Sequence, residues 1–213
     1  MKPVRSLFVG LIIFGSLFQA TGQEVKIYGN DFSAAAVDSI PEDFLILDGG
    51  FAVKEEGGNK FFELPGAPLD TFGFLFGPTA KENWSVSARV HGSRKGRRFP
   101  TFSVGLNGQG GYKLQVSPGK KVIELYKADA VLTTVPFEWE SDKWTHLQIQ
   151  IKKNAASWKI DGMAWTEGTE RPSQPMISWE EKETPSGGRA YVGASPYSTT
   201  PIRVDDLKVE PVK

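Results

Sequence analysis

Trp139, Trp144, Trp158, Trp165 and Trp179, five of the chain's six tryptophans, crowd into one segment. An indole face offers flat apolar area for stacking on the C–H face of a sugar ring, while its N–H keeps a polar contact. Core packing is the competing use. Trp84 shares an alternating face with Val86 and Val90 and is expected in the core. Trp144 and Trp158 sit in strand-like segments and read as structural. Trp139, Trp165 and Trp179 fall in expected turns or loops beside Glu138, Glu140, Glu167, Glu180 and Glu181, which makes them the candidate ligand platforms. A second candidate is the segment Gly92–Arg98, where Arg94, Lys95, Arg97 and Arg98 load four positive charges onto a connection between two strands. The guanidinium fork suits carboxylate or sulfate, as on an acidic glycan. The plainer role is a solvated hairpin tip that resists edge-to-edge pairing.

Catalytic patterns are weaker. Glu138 and Glu140 alternate around Trp139 at a Pro136-bounded edge, and Glu180, Glu181 and Glu183 lie in an expected loop. Glycoside hydrolysis needs two carboxylates at a set separation, and these acids do not alternate along a central strand. Cysteine is absent and no G-x-S-x-G occurs, so no activated nucleophile is apparent. With two histidines and no cysteine, zinc and iron are disfavoured, whereas calcium held by carboxylate and carbonyl oxygens stays open. Asp205-Asp206 interrupts the Ile202/Val204 alternation, which predicts a bulge or a strand end there.

The elements that must position these residues are strands. Trp84, Val86, Ala88 and Val90 alternate with polar neighbours, as do Phe102, Val104 and Leu106, then Tyr112, Leu114 and Val116, then Leu147, Ile149 and Ile151. Period-two alternation marks strands with one buried face. Shorter candidates are Val25–Tyr28, Phe44–Leu47, Phe51–Lys54, Phe61–Leu64, Phe72–Phe76, Val122–Tyr126, Val131–Val135, Ser157–Ile160, Tyr191–Gly193 and Ile202–Val209. Gly57-Gly58-Asn59, Gly108–Gly111 and Pro118-Gly119 punctuate them, and Asp161-Gly162 reads as a tight hairpin between Trp158–Ile160 and Met163–Trp165. Ser33–Ser39 is the one weak helical candidate, no more than a turn or two, and Thr166–Arg189 is the longest expected loop. About a dozen turn-separated strands predict a sandwich or barrel.

Residues 1–22 read as a leader. Lys2 and Arg5 precede an apolar run from Leu7 to Phe18, and Ala20 and Gly22 place small side chains before a favoured cut at Gly22–Gln23. Residues 23–213 are then one domain, exported to a periplasmic or extracellular location. The run is too short to span a bilayer, so no membrane span is expected in the mature chain. Without cysteine there is no lipidation at the cleavage site and no disulfide framework, and stability must come from the core. Lys plus Arg and Asp plus Glu are 25 each, which gives no overall bias toward nucleic acid or an anionic membrane. Nothing fixes the oligomeric state.

Three pieces carry a resemblance. Asp31-Phe32 is followed by Pro41, Phe44 and Asp48–Val53; Lys143–Ile149 runs into Trp158–Gly162; and Pro201–Val209 closes the chain with a V-D-D-L-x-V strand. Together they resemble the concanavalin A-like lectin/glucanase superfamily, nearest to laminin-G-like and 3-keto-disaccharide hydrolase domains. The resemblance implies a two-sheet antiparallel jelly-roll sandwich whose last strand returns beside the first. It also implies that Asp205 and Asp206 meet the N-terminal strand, where Asp31 or Asp48 adds a carboxylate to a structural Ca2+ site; turn capping, or pairing with Arg203 or Lys208, is the alternative. The superfamily's glucanases carry E-x-D-x-E or E-x-D-x-x-E on one strand, and no strand here does. The expected function is a non-catalytic carbohydrate-binding or cell-surface recognition module with a glycan or glycoside ligand. The alternatives are a hydrolase of the 3-keto-disaccharide type and a structural or protein-interaction module.

Overall fold

A computed structural model, in which residues 27–66 and 70–212 are described, forms two antiparallel sheets. The expected leader, residues 1–22, lies outside the described residues, as does the start of the Val25–Tyr28 candidate. Along the chain the strands are β1 (Tyr28–Asn30), β2 (Leu45–Asp48), β3 (Ala52–Glu56), β4 (Asn59–Leu64), β5 (Phe72–Ala80), β6 (Trp84–His91), β7 (Thr101–Leu106), β8 (Tyr112–Ser117), β9 (Val122–Lys127), β10 (Ala130–Pro136), β11 (Trp144–Lys153), β12 (Trp158–Thr166), β13 (Ile177–Glu181), β14 (Gly188–Ser195) and β15 (Ile202–Pro211). A one-turn 3-10 helix, Pro118–Lys120, joins β8 to β9. One sheet runs β13-β12-β11-β6-β15-β4-β3, with β1 also on β15; the other runs β10-β9-β8-β7-β14-β5-β2. This is the jelly-roll sandwich that the alternation and the resemblance predict.

The faces follow the alternation. Val86, Ala88, Val90, Leu147, Ile149 and Ile151 point inward from the first sheet and meet Phe102, Val104, Leu114, Val116, Ile123 and Leu125 from the second, all buried. Phe32, Phe44, Phe51, Phe62, Phe74 and Phe76 fill one end of this core with ring centroids 5.0–6.1 Å apart. Such stacked and edge-on pairs add about 0.5–1.5 kcal/mol each beyond area burial. In a chain with no disulfide, this packing holds the sandwich.

The closing strand behaves as the V-D-D-L segment predicts. Its pairing with β6 shifts between Asp205 and Lys208, and Asp206 has φ of 51°. The bulge lets β15 pair with β4 through residues 202–204 and with β1 through residues 207–209.

Four expectations are corrected. Asp161-Gly162 is no hairpin: β12 runs straight through it, Gly162 pairs with both Ile149 and Ile177, and the chain reverses at residues 154–157 instead. Gly162 is there for space, since a Cβ would stand 2.7 Å from Leu114 Cδ1 and 2.9 Å from Ile177 Cγ2. Ser33–Ser39 makes two successive turns, not a helix, closed by Ala35 N–H on Phe32 O and Ser39 N–H on Ala36 O. The long loop after Thr166 contains β13, which hydrogen-bonds to β12 as an edge strand. Trp165 and Trp179 accordingly stand on strands β12 and β13, not in loops.

Candidate binding cleft at the end of the seven-stranded sheet

Inward-facing Leu114, Val116, Ile123 and Leu125 force Gln115, Ser117, Glu124 and Tyr126 outward from the seven-stranded sheet. Register aligns Gly193, Ser103, Gln115 and Glu124 in one row across β14, β7, β8 and β9. Outward side chains on an open sheet are normally wet. Here Ser103, Ser117, Glu124 and Tyr191 are each 3% exposed or less, covered by their neighbours on this face. Tyr191 lies across the small residues beside it: a Cβ on Gly193 would sit 2.6 Å from its hydroxyl, and one on Gly73 would sit 2.7 Å from its ring. Burial, with Asp129 nearby, pushes its phenol up to about 12.

Glu124 is the fixed point of this floor. Its Oε2 accepts from Ser117 Oγ at 2.5 Å, Tyr126 Oη at 3.1 Å and Gln115 Nε2 at 3.3 Å, and its Oε1 from Lys120 Nζ at 2.9 Å. Burial alone pushes the carboxyl up, but the bonds from Ser117, Lys120 and Tyr126 outweigh it, and Glu124 stays below the ordinary range and ionised.

Four connections meet at the end of the sheet where β7 begins and β8 and β14 finish. Thr200 Oγ1 donates to Ser93 O at 2.8 Å, joining the β14–β15 loop to the basic β6–β7 loop. Ser93 Oγ donates to Asp142 at 2.5 Å and Arg94 N–H to Ser141 Oγ at 2.9 Å, joining that loop to the β10–β11 connection. Phe137 N–H donates to Lys121 O at 3.0 Å, bringing in the β8–β9 turn. Between them opens a cleft of about 320 Å³ walled by Phe99 and Tyr197, with Thr101, Gln115, Ser117 and Ser195 as hydroxyl and amide floor and Arg97 and Lys120 at its sides. Phe99 also borders an adjoining hollow of about 430 Å³ with Arg94, Trp139, Glu140 and Asp142.

The predicted site residues divide. Arg94, Arg97 and Trp139 come to this one rim, while Arg98 is exposed on the same hairpin. Trp139 is half-buried, its ring 6.4 Å from Phe102, and its Nε1 is buried without a partner. Trp165 belongs to the opposite face of the sandwich, stacked on His146 at 4.9 Å and 7° with Arg171 over its ring. Trp179 is exposed on the edge strand β13, beside Asn154, Lys159 and Glu180. The three tryptophans therefore make no common platform. Sequence reasoning missed Phe99, Tyr197, Gln115, Ser117 and Glu124. Alternation marks Gln115, Ser117 and Glu124 as outward, but it carries no sign of which connections close over them.

The four aspartates also divide. Asp31 and Asp206 share a hollow where β1 meets β15, and Asp206 is pushed up by burial and by Asp205 and Asp31, against the pull of Arg89. Asp205 is buried and accepts from Arg89 at 2.7 Å and Asn59 at 3.0 Å; its partner is thus Arg89, not Arg203 or Lys208. Asp48 lies on the other sheet and accepts from Gly49 N–H. Among the described residues no three His, Cys, Asp or Glu side chains gather as a metal site.

The sequence matches no protein-family model and no curated protein sequence. The structure is similar to the carbohydrate-binding module CBM66 from Bacillus subtilis, at TM-score 0.52 and 11% identity over 79% of this chain and 95% of that one. It is similar to the Emp46p carbohydrate recognition domain in its metal-free form, at 0.57 and 10% over 80% and 89%. A prokaryotic β-1,3-1,4-glucanase (lichenase) derived from a mouse hindgut metagenome gives 0.56 and 10% over 87% and 99%. The chain is a jelly-roll sandwich of the concanavalin A and galectin kind, a fold these lectin-like modules and glucanases share.

Proposed function

We propose that this chain is an exported carbohydrate-binding module that holds a glycan in the loop-rimmed cleft on the seven-stranded sheet. The observation that carries the reading is the lining itself: two aromatic walls, Phe99 and Tyr197, over a floor of hydroxyls and an amide. Aromatic faces take the C–H faces of a pyranose, and fixed donors and acceptors take its hydroxyls. The lining also supports binding over hydrolysis: glycoside hydrolysis needs two carboxylates flanking the scissile bond, and the side chains lining this cleft include none. The comparisons lend the fold, and the leader-like N-terminus supports export.

The test is affinity electrophoresis and calorimetry of the purified protein against neutral and charged polysaccharides. Tyr197→Ala and Phe99→Ala should each lower affinity at least about tenfold, worth about 1.4 kcal/mol, with the fold retained by circular dichroism. Full binding in both folded variants would exclude the cleft as the site.

A further inference from the structure

We infer that the cleft takes an acidic glycan, one whose sugars bear carboxylate or sulfate groups; this rests on the binding reading above and narrows its ligand class. The formal net charge is zero, yet the charges are unevenly spent. Arg89 engages Asp205, Asp206 and Glu167; Arg203 engages Glu56 and Glu63; Lys127 engages Glu181 and Glu183. Lys95, Arg97 and Arg98 make no side-chain hydrogen bond or ion pair among the described residues, and Arg94 acts only through its field on Asp142. The cleft lining includes Arg97 and Lys120 and no carboxylate. Lys120 is balanced by Glu124, so Arg97 leaves a net positive charge on the cleft.

The backbone that carries these charges is tied into the fold. Lys95 N–H donates to Arg98 O at 3.0 Å and Arg98 N–H to Lys95 O at 3.1 Å, closing a two-residue turn with Gly96 at φ of 62°. The hairpin is anchored through Ser93 to Asp142 and through Thr200 to the loop carrying Tyr197. An unpaired guanidinium lining the same cleft as Phe99 and Tyr197 meets both halves of a charged sugar: the aromatic rings take the sugar ring by contact and the planar fork takes its anion.

The purified protein is titrated with polygalacturonate, heparin, a neutral β-glucan and single-stranded DNA at about 0.02 M and about 0.3 M salt, where the Debye length falls from roughly 20 Å to roughly 6 Å. Binding to polygalacturonate or heparin, weakened about tenfold by the salt, is expected; polygalacturonate alone assigns carboxylate and heparin alone assigns sulfate. Arg97→Ala should lose most of it, and Arg97→Lys, which keeps the charge but not the fork, should restore only part. Equal affinity for neutral β-glucan, unchanged by Arg97→Ala but lost in Tyr197→Ala, would overturn the acidic assignment and leave the binding module standing. Polyanion binding that ignores Tyr197→Ala and Phe99→Ala, or that is matched by DNA, would also overturn it, by making the loop a general anion patch. No binding to any polysaccharide would remove both readings.

Discussion

Replacing Glu124 with glutamine keeps the shape of the side chain that holds the floor groups Gln115 and Ser117 and removes its charge. The carboxylate accepts four bonds. Glutamine offers one acceptor oxygen and one NH2 group, and the least costly arrangement turns the NH2 toward Lys120, whose ammonium is largely exposed and swings into water. That pair joins the buried carboxylate to an ammonium well screened by water, which holds its worth to about 1 kcal/mol. The bonds from Ser117, Tyr126 and Gln115 then change from charge-assisted to neutral, each weaker by about 1 kcal/mol. Lower desolvation of the neutral amide offsets part of this loss. A net destabilisation of about 2 kcal/mol follows, which lowers Tm by about 4–8 °C in a chain of this size. The floor groups Gln115 and Ser117 are then held less firmly, so glycan affinity should fall with the cleft walls intact. The measurement is thermal unfolding at pH 7 and pH 4, with binding assayed in parallel. A depressed carboxyl stabilises above its unfolded value of 4.5 and loses that contribution as pH falls through its folded value. Wild type should therefore lose more stability than Glu124→Gln between the two pH values. A Tm within a degree of wild type at pH 7, or identical losses on acidification, would refute the reasoning.

Glu181 extends the acid argument. Burial pushes its carboxyl up, but Lys127, the Glu183 backbone N–H and Tyr112 overcome this and hold it at about 2, so its contribution should disappear as pH drops from 4.5 toward 2, and Glu181→Gln should flatten that part of a urea-midpoint titration. Gly162→Ala should cost about 1–3 kcal/mol by crowding Leu114, and Leu114→Ala about 2–5 kcal/mol; the double variant should cost less than their sum, and strict additivity in denaturant melts would mean the two do not touch. Trp179→Ala should leave both Tm and glycan affinity near wild type because its ring is exposed and stands on the other sheet from the cleft, whereas Trp139→Ala should lower Tm; the reverse ranking in a melt would contradict the packing described. Intact-mass analysis of exported protein should give a start near Gln23, and a retained Met1–Phe18 in the membrane fraction would contradict export by cleavage.

Much of the fold was legible because it is written in period two. The alternations at Val86–Val90, Phe102–Leu106, Tyr112–Val116 and Leu147–Ile151 each became a strand with the expected face inward, since a one-residue slip would expose the whole apolar set. The bulge at Asp205-Asp206 was legible for the same reason: two polar residues cannot both keep the alternation. Local signals failed where a long-range neighbour decides. Asp161-Gly162 has turn chemistry, yet Leu114 from the opposite sheet and pairing on both edges make it mid-strand. Trp139, Trp165 and Trp179 are chemically alike, but one packs on Phe102, one stacks on His146 and one faces solvent. The sequence by itself determined an all-β sandwich, its faces and a charged β6–β7 connection. Only the tertiary structure decided that Phe99, Tyr197, Arg97 and the Glu124 network meet at one end of the seven-stranded sheet. They come from the β6–β7 and β14–β15 connections and from β8, β9 and the turn between them, and their meeting depends on strand order and loop-to-loop hydrogen bonds that no local stretch of sequence encodes.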